Sequence, residues 1–190
     1  MIIIIDKKKK MWYSMTIAKE ILLRRPFAGT SETQKQLQSE RKIIMKKELV
    51  NLSNAYLANI GVSYIKLHNL HWNVVGSQFK AVHEYLESLY DALADVLDEV
   101  AELLKMDGEM PVGSLKGYLS LATIQELEDK DVSVKDALAI VLADLELLKA
   151  QAEALRLAAD AEDHYPLANA MEDHLSNYSK NIWFVRSMLK

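Results

Sequence analysis

The stretch KAVHEYLESLYDALADVLDEVAELLKM, Lys80–Met106, decides the fold. Its apolar residues Val82, Leu86, Leu89, Leu93, Val96, Val100 and Leu103 recur every three or four positions, the period of one helix face. No Pro or Gly interrupts them, and Gly108 stands just past the end as a natural C′ residue. Upstream, Leu49, Leu52, Tyr56, Ile60, Tyr64, Leu67 and Leu70 predict a helix over about 46–75, and Gly76 and Ser77 lie in the turn that leaves it. Downstream, Pro111 and Gly113 open a connection that holds a short helix near Leu115–Leu121. Ser133 with Asp136 resembles a capping box and starts a third long helix, which reaches about Ala159. An acidic turn, Asp160–Tyr165, precedes Pro166, which suits the start of a fourth helix running to the end. Four long helices with a longer connection between the second and third predict an all-α four-helix bundle over 46–190.

Composition agrees. Half of the 190 residues are apolar, with six Gly and three Pro, which disfavours a fold of many short strands. The absence of cysteine excludes disulfides, thiol nucleophiles and Cys-ligated zinc, so any metal must be held by His, Asp and Glu. No apolar run approaches the ~20 residues that span a bilayer. Ile2–Ile5 precedes Lys7–Lys10, the reverse of a secretory signal's order. The expectation is a soluble cytoplasmic protein with no membrane partner.

Residues 1–45 read as a basic extension. Thr16–Arg25 carries Ile17, Ile21 and Leu22 at helical spacing and ends at Pro26, a short amphipathic helix. Phe27–Gln38 reads as a linker. Residues 1–47 hold twelve Lys or Arg against four acids, whereas the remainder holds eleven against twenty-three. A basic arm on an acidic body is the pattern of an anion-seeking tail; the acidic body suits cations.

The chemistry concentrates in His71, His83, Glu87, Asp98 and Glu102. On the second helix the last four are spaced by four, eleven and four residues. Eleven residues advance a helix by ~1,100°, within about 20° of whole turns, so the four share one face. His83 and Glu102 nevertheless stand about 28 Å apart along the axis, and ligands must converge within roughly 2 Å of an ion. Convergence becomes possible if two copies of this helix lie antiparallel about a two-fold axis near Ala92 and Leu93. His83 and Glu87 of one chain then face Asp98 and Glu102 of the other, and each contact is made twice. Two imidazoles and three carboxylates suit iron or manganese, with zinc a possible substitute. The same residues also fit a solvated helix face. His68 with His71 is a smaller alternative zinc pair, and Trp72 reads as core.

The run His71-Trp72-Asn73-Val74-Val75-Gly76-Ser77-Gln78-Phe79-Lys80-Ala81-Val82-His83-Glu84 resembles the signature of the Dps family of mini-ferritins, H-W-x-x-x-G-x-x-F-x-x-x-H-E. Asp98-Glu99-Val100-Ala101-Glu102 is similar to the family's downstream D-E-x-A-E segment, and the likeness extends over about 46–190. Glu-x-x-His, the motif of ordinary ferritins, is absent.

The resemblance implies a ferritin-like bundle assembled as a hollow dodecamer, with His71, His83 and Glu87 of one chain and Asp98 and Glu102 of its neighbour as inter-subunit iron ligands. Glu87 stands where many members have Asp, which bears on occupancy and spacing at the second iron. The implied activity is a ferroxidase that oxidises Fe(II) with hydrogen peroxide, stores the ferric product and relieves oxidative stress. Asp160, Glu162 and Asp163 are candidates for an iron entry pore. Some members bind DNA through a basic N-terminal extension. Here Lys7, Lys8, Lys9, Lys10, Lys19, Arg24, Arg25, Lys35, Arg41 and Lys42 would serve, without base recognition, at the nucleoid. The rival reading is a DNA-compacting shell with weak or absent ferroxidase activity.

Overall fold

The computed structural model describes residues 31–190, with side chains at Lys35 and from Lys46 onward. Helix α1 (Ser31–Asn73) is followed by β1 (Val74–Val75), α2 (Phe79–Met106), α3 (Leu115–Leu121), β2 (Val132–Ser133), α4 (Val134–Ala161) and α5 (Tyr165–Met188). Residues 47–190 form one compact unit, in which α2, α4, α5 and the C-terminal part of α1 make the four-helix bundle. No helix among the described residues is long and apolar enough to cross a membrane. The short helix expected over 16–25 and the basic residues from Lys7 to Arg25 lie outside the described residues.

Every apolar residue that set the period of α2 is buried, and Leu104 joins them. Leu86 is fully buried; a side chain of that size contributes about 1.5–3 kcal/mol when it leaves water. The α2 terminus closes as its sequence demands: Gly108 takes φ +77°, and the N–H groups of Gly108 and Glu109 donate to the carbonyls of Lys105 (3.0 Å) and Leu104 (2.9 Å). Ser133 caps α4, its hydroxyl accepting from the N–H of Asp136. α3 occupies its expected range, with Ser114 as its cap.

Two expectations need correction. The first long helix starts at Ser31 rather than near Lys46, so residues 31–38 are helix and not linker. Ser31-Glu32-Thr33-Gln34-Lys35-Gln36-Leu37-Gln38 lacks an apolar period, but Glu, Gln, Lys and Leu are good helix formers and propagate a helix already nucleated. A polar stretch without Gly or Pro is poor evidence for a linker. Second, the exits of α1 and the α2–α4 connection carry a two-residue parallel pairing, Val74 with Val132 and Val75 with Ser133. Such short runs give no strand period to read. Gly76, at φ +139°, turns the chain from β1 toward α2.

The long connection is fastened to α1 by asparagines. Asn59, fully buried, accepts from the N–H groups of Thr123 and Ile124 (both 2.8 Å) and donates to the Thr123 hydroxyl and the Gln151 side chain. Asn54 accepts from the N–H of Val112, and Asn69 donates to Asp129. Gly61 lets the Tyr118 ring of α3 lie against α1, where an added Cβ would come within 2.6 Å of that ring.

Candidate metal centre

His71 ends α1 and His83 lies in the second turn of α2, so the Gly76 turn folds one imidazole onto the other. The two rings stack with centroids 3.6 Å apart and planes 21° from parallel. Their partners are reciprocal: Nδ1 of His71 lies 2.9 Å from the carbonyl oxygen of His83, and Nδ1 of His83 lies 2.8 Å from the carbonyl oxygen of His71. A carbonyl only accepts, so each Nδ1 carries the proton and donates. In the neutral ring, the form that binds a metal, each Nε2 then keeps its lone pair for the ion.

Glu87, one turn beyond His83 on α2, completes a group of three. One ligand atom from each of His71, His83 and Glu87 lies within 4.8 Å of the others. His71 is buried, His83 half-buried and Glu87 exposed, so the group opens outward from the bundle. Two neutral imidazole nitrogens and one carboxylate match the donors that a hard or borderline divalent ion takes, and they leave coordination positions unfilled.

Asp98 and Glu102 are exposed residues of the same helix and do not join this group. Glu87 and Asp98 are eleven residues apart, about 16 Å along the axis, too far to share an ion within one chain. His68 also stands outside the group: its Nδ1 bonds the carbonyl of Tyr64 at 2.9 Å, and its ring stacks on Tyr90 at 3.8 Å. Trp72 departs from its core reading. It is 69% exposed, with its ring 5.5 Å from His68. Asp160 and Glu162 flank the end of α4, and Asp163 sits in the turn at φ +55°. Lys35 is exposed on α1, and Arg41 and Lys42 lie in the same helix.

Residues 51–190 match the ferritin family as a ferritin-like domain. The chain is 35% identical over 135 residues to antigen TpF1 of Treponema pallidum (strain Nichols), spanning 71% of this chain and 76% of that protein. The crystal structure of TpF1 has a TM-score of 0.75 at 29% identity, covering 87% of this chain and 99% of that one. A DNA protection during starvation protein of Brevibacillus brevis is 31% identical over 139 residues, 73% of this chain and 93% of the relative. The chain belongs to the Dps family of mini-ferritins. A further Dps crystal structure, from Vibrio cholerae O1, has a TM-score of 0.74 at 26% identity over 77% of this chain and 92% of that one. Its description places that protein in a broad superfamily of ferritin-like diiron-carboxylate proteins.

Within this Dps chain, sequence reasoning reached the histidines but not what holds them. The orienting groups are backbone carbonyls, which no residue pattern displays. Tyr90 was missed as well: its ring meets His71 edge-on at 5.4 Å and backs His68. Its place on α2, one turn past Glu87 and outside the apolar stripe, is the signal that could have found it.

Proposed function

We propose that this protein is a ferroxidase and iron store that oxidises Fe(II) with hydrogen peroxide at sites shared between two subunits. The observation that carries the reading is the half-site itself. His71, His83 and Glu87 converge with neither Nε2 hydrogen-bonded among the described residues, while Asp98 and Glu102 stand too far along α2 to complete the site within one chain. An antiparallel α2–α2 contact supplies Asp98 and Glu102 of the neighbour, twice per dimer. A closed homo-oligomeric shell, with the dodecamer expected, then holds the ferric product.

Iron is the substrate. The imidazoles and carboxylates bind Fe(II) and, through the carboxylates, tolerate the charge of Fe(III). Each of two Fe(II) ions gives up one electron. Peroxide accepts both, its O–O bond breaks, and with two protons it leaves as two waters. No hydroxyl radical is released when the two electrons are taken together. The carbonyl-held imidazoles stay in one tautomer throughout, so the site does not reorganise between metal states. Zinc or manganese would occupy the same donors without that turnover. Asp160, Glu162 and Asp163 at the α4–α5 turn would draw Fe(II) toward an entry by charge.

The charge asymmetry supports a second role, DNA protection by direct contact. The basic extension, with Lys35, Arg41 and Lys42 on α1, would bind phosphates without reading bases, and its repetition on every subunit would add avidity. A Lys7–Lys10→Ala variant is then expected to lose a DNA gel shift at low salt that the parent loses only at high salt.

The test of the main reading is anaerobic loading with Fe(II) followed by hydrogen peroxide. The parent is expected to form a soluble ferric product rapidly, and Glu102→Ala and His71→Ala to oxidise iron at least tenfold more slowly. Equal rates would remove these residues from the chemistry and leave the DNA-compacting shell as the better account.

A further inference from the structure

A second chain of polar groups crosses the bundle core and takes no part in the metal group. Tyr56 of α1, Tyr178 and His174 of α5 and Glu99 of α2 form one hydrogen-bonded row. The two phenol oxygens are 2.7 Å apart, the Tyr56 oxygen is 3.1 Å from His174 Nδ1, and His174 Nε2 is 3.0 Å from Glu99 Oε2. Tyr56, Tyr178 and His174 are 1%, 3% and 4% exposed, whereas the Glu99 side chain is half-exposed.

The row has a direction. A carboxylate only accepts, so His174 Nε2 carries its proton and donates to Glu99. In the neutral ring Nδ1 is then an acceptor, and the Tyr56 hydroxyl donates to it. The Tyr56 oxygen in turn accepts from Tyr178. Burial is the main cause that pushes the proton affinity of both phenols up, so both remain neutral.

A phenol with a proton acceptor already in place gives up an electron more easily than an isolated one, because no phenol cation has to form. We propose that Tyr56 is a redox-active tyrosine whose phenolic proton passes to His174 Nδ1 as its electron leaves. The oxidant is of the one-electron class that arises when Fe(II) meets peroxide out of step, with hydroxyl radical as its extreme member. That source rests on the ferroxidase reading above; the oxidisability of Tyr56 does not. In the step the Tyr56 O–H bond breaks and hydroxyl radical takes the electron to become hydroxide. His174 becomes an imidazolium held by Glu99, and a neutral tyrosyl radical remains, accepting a hydrogen bond from Tyr178. One electron from Fe(II), which becomes Fe(III), returns the radical to phenol as the proton comes back from His174.

Rings bridge the distance from the metal group. Tyr90 is 5.4 Å from His71, and Tyr64 is 6.3 Å from Tyr90, centroid to centroid. Tyr64 stands eight residues from Tyr56 on α1, about 12 Å along the axis. An electron vacancy can therefore travel in short hops and settle on a buried site away from solvent.

The test uses the iron-free full-length protein first, oxidised by photogenerated tris(bipyridine)ruthenium(III) and read by electron paramagnetic resonance. The parent is expected to give a long-lived neutral tyrosyl signal, and Tyr56→Phe to reduce its yield at least threefold while its circular dichroism and elution match the parent. His174→Gln should reduce it similarly. Tyr178→Phe should keep the yield and raise the low-field g value, because the radical loses one of its two hydrogen-bond donors and keeps only the His174 Nδ1–H. Equal yields from the parent and Tyr56→Phe overturn the proposal, whichever of the other seven tyrosines then carries the signal. The second arm repeats the measurement with Fe(II) and hydrogen peroxide. The same Tyr56-dependent signal supports the proposal with its source. Its absence there, with the ruthenium signal present, overturns iron and peroxide as the source and leaves the Tyr56–His174 couple supported.

Discussion

Replacing Asn59 by Ala should cost far more than its single small side chain suggests. Asn59 is fully buried, and its Oδ1 is the acceptor for two backbone N–H groups, those of Thr123 and Ile124, each at 2.8 Å. Ile124 is itself buried, so its N–H would lose its partner away from water. An unsatisfied buried donor costs about 1–3 kcal/mol. The Thr123 N–H and the Gln151 side chain, nearer solvent, can turn partly to water and add less. The expected total is about 3 kcal/mol, concentrated on the α2–α4 connection. Urea unfolding by circular dichroism at a fixed subunit concentration measures it, since assembly makes stability concentration-dependent. Thr123→Ala is the control. It removes only the side-chain contacts of Thr123 to Asn59, at 3.2 and 3.4 Å, and should cost less than about 0.5 kcal/mol. If Asn59→Ala costs no more than Thr123→Ala, the argument from buried acceptors is refuted.

Other outcomes follow from the same structure. Gly61→Ala should destabilise by about 1–3 kcal/mol through the Tyr118 ring. In a Tyr118→Ala background the sign should reverse, because Ala then keeps only its helix advantage of about 1 kcal/mol over Gly; a double-mutant cycle checks this. At high pH the protein should weaken. Burial raises Tyr56 and Tyr178, and it pushes Tyr85 up to about 12. Above pH 10 the unfolded chain therefore releases phenolic protons that the folded chain retains. Stability present below pH 10 is lost as pH rises toward the folded values, by up to about 1.4 kcal/mol per pH unit for each tyrosine. Tyr178→Phe should flatten the slope of urea midpoints between pH 10 and 12; an unchanged slope would contradict the assignment.

The bundle was legible because its helices are amphipathic over long runs, and burial of one stripe is what a period of three or four residues encodes. Gly108, Ser133 and Pro166 punctuated it as their backbone chemistry requires. The start of α1 was not legible, because Ser31–Gln38 carries helix propensity without an apolar stripe. His164 was equally hidden: it caps α5 through Nδ1, a role that Ser, Thr, Asp and Asn usually fill, and through Nε2 it reaches Asp107, 57 positions away in the sequence, at 2.6 Å. For the metal group, spacing on α2 placed His83 and Glu87 together, but the stacking of His71 on His83 depends on the sharp Gly76 turn. The Tyr56–His174 row joins residues 118 positions apart. Only the packing of α1 against α5 brings them together, and no local pattern announces it.

The most direct test of the shared site is complementation between two inactive variants. His83→Ala and Glu102→Ala chains are unfolded, mixed in equal amounts and refolded into shells, and peroxide-driven Fe(II) oxidation is measured. In a mixed dimer one site collects both lesions, while the other combines intact His83 and Glu87 with an intact Asp98 and Glu102. Random pairing makes half of the dimers mixed, so about one quarter of all sites, and of the parental rate, should return. Activity no higher than that of either variant refolded alone would contradict a site built from two subunits.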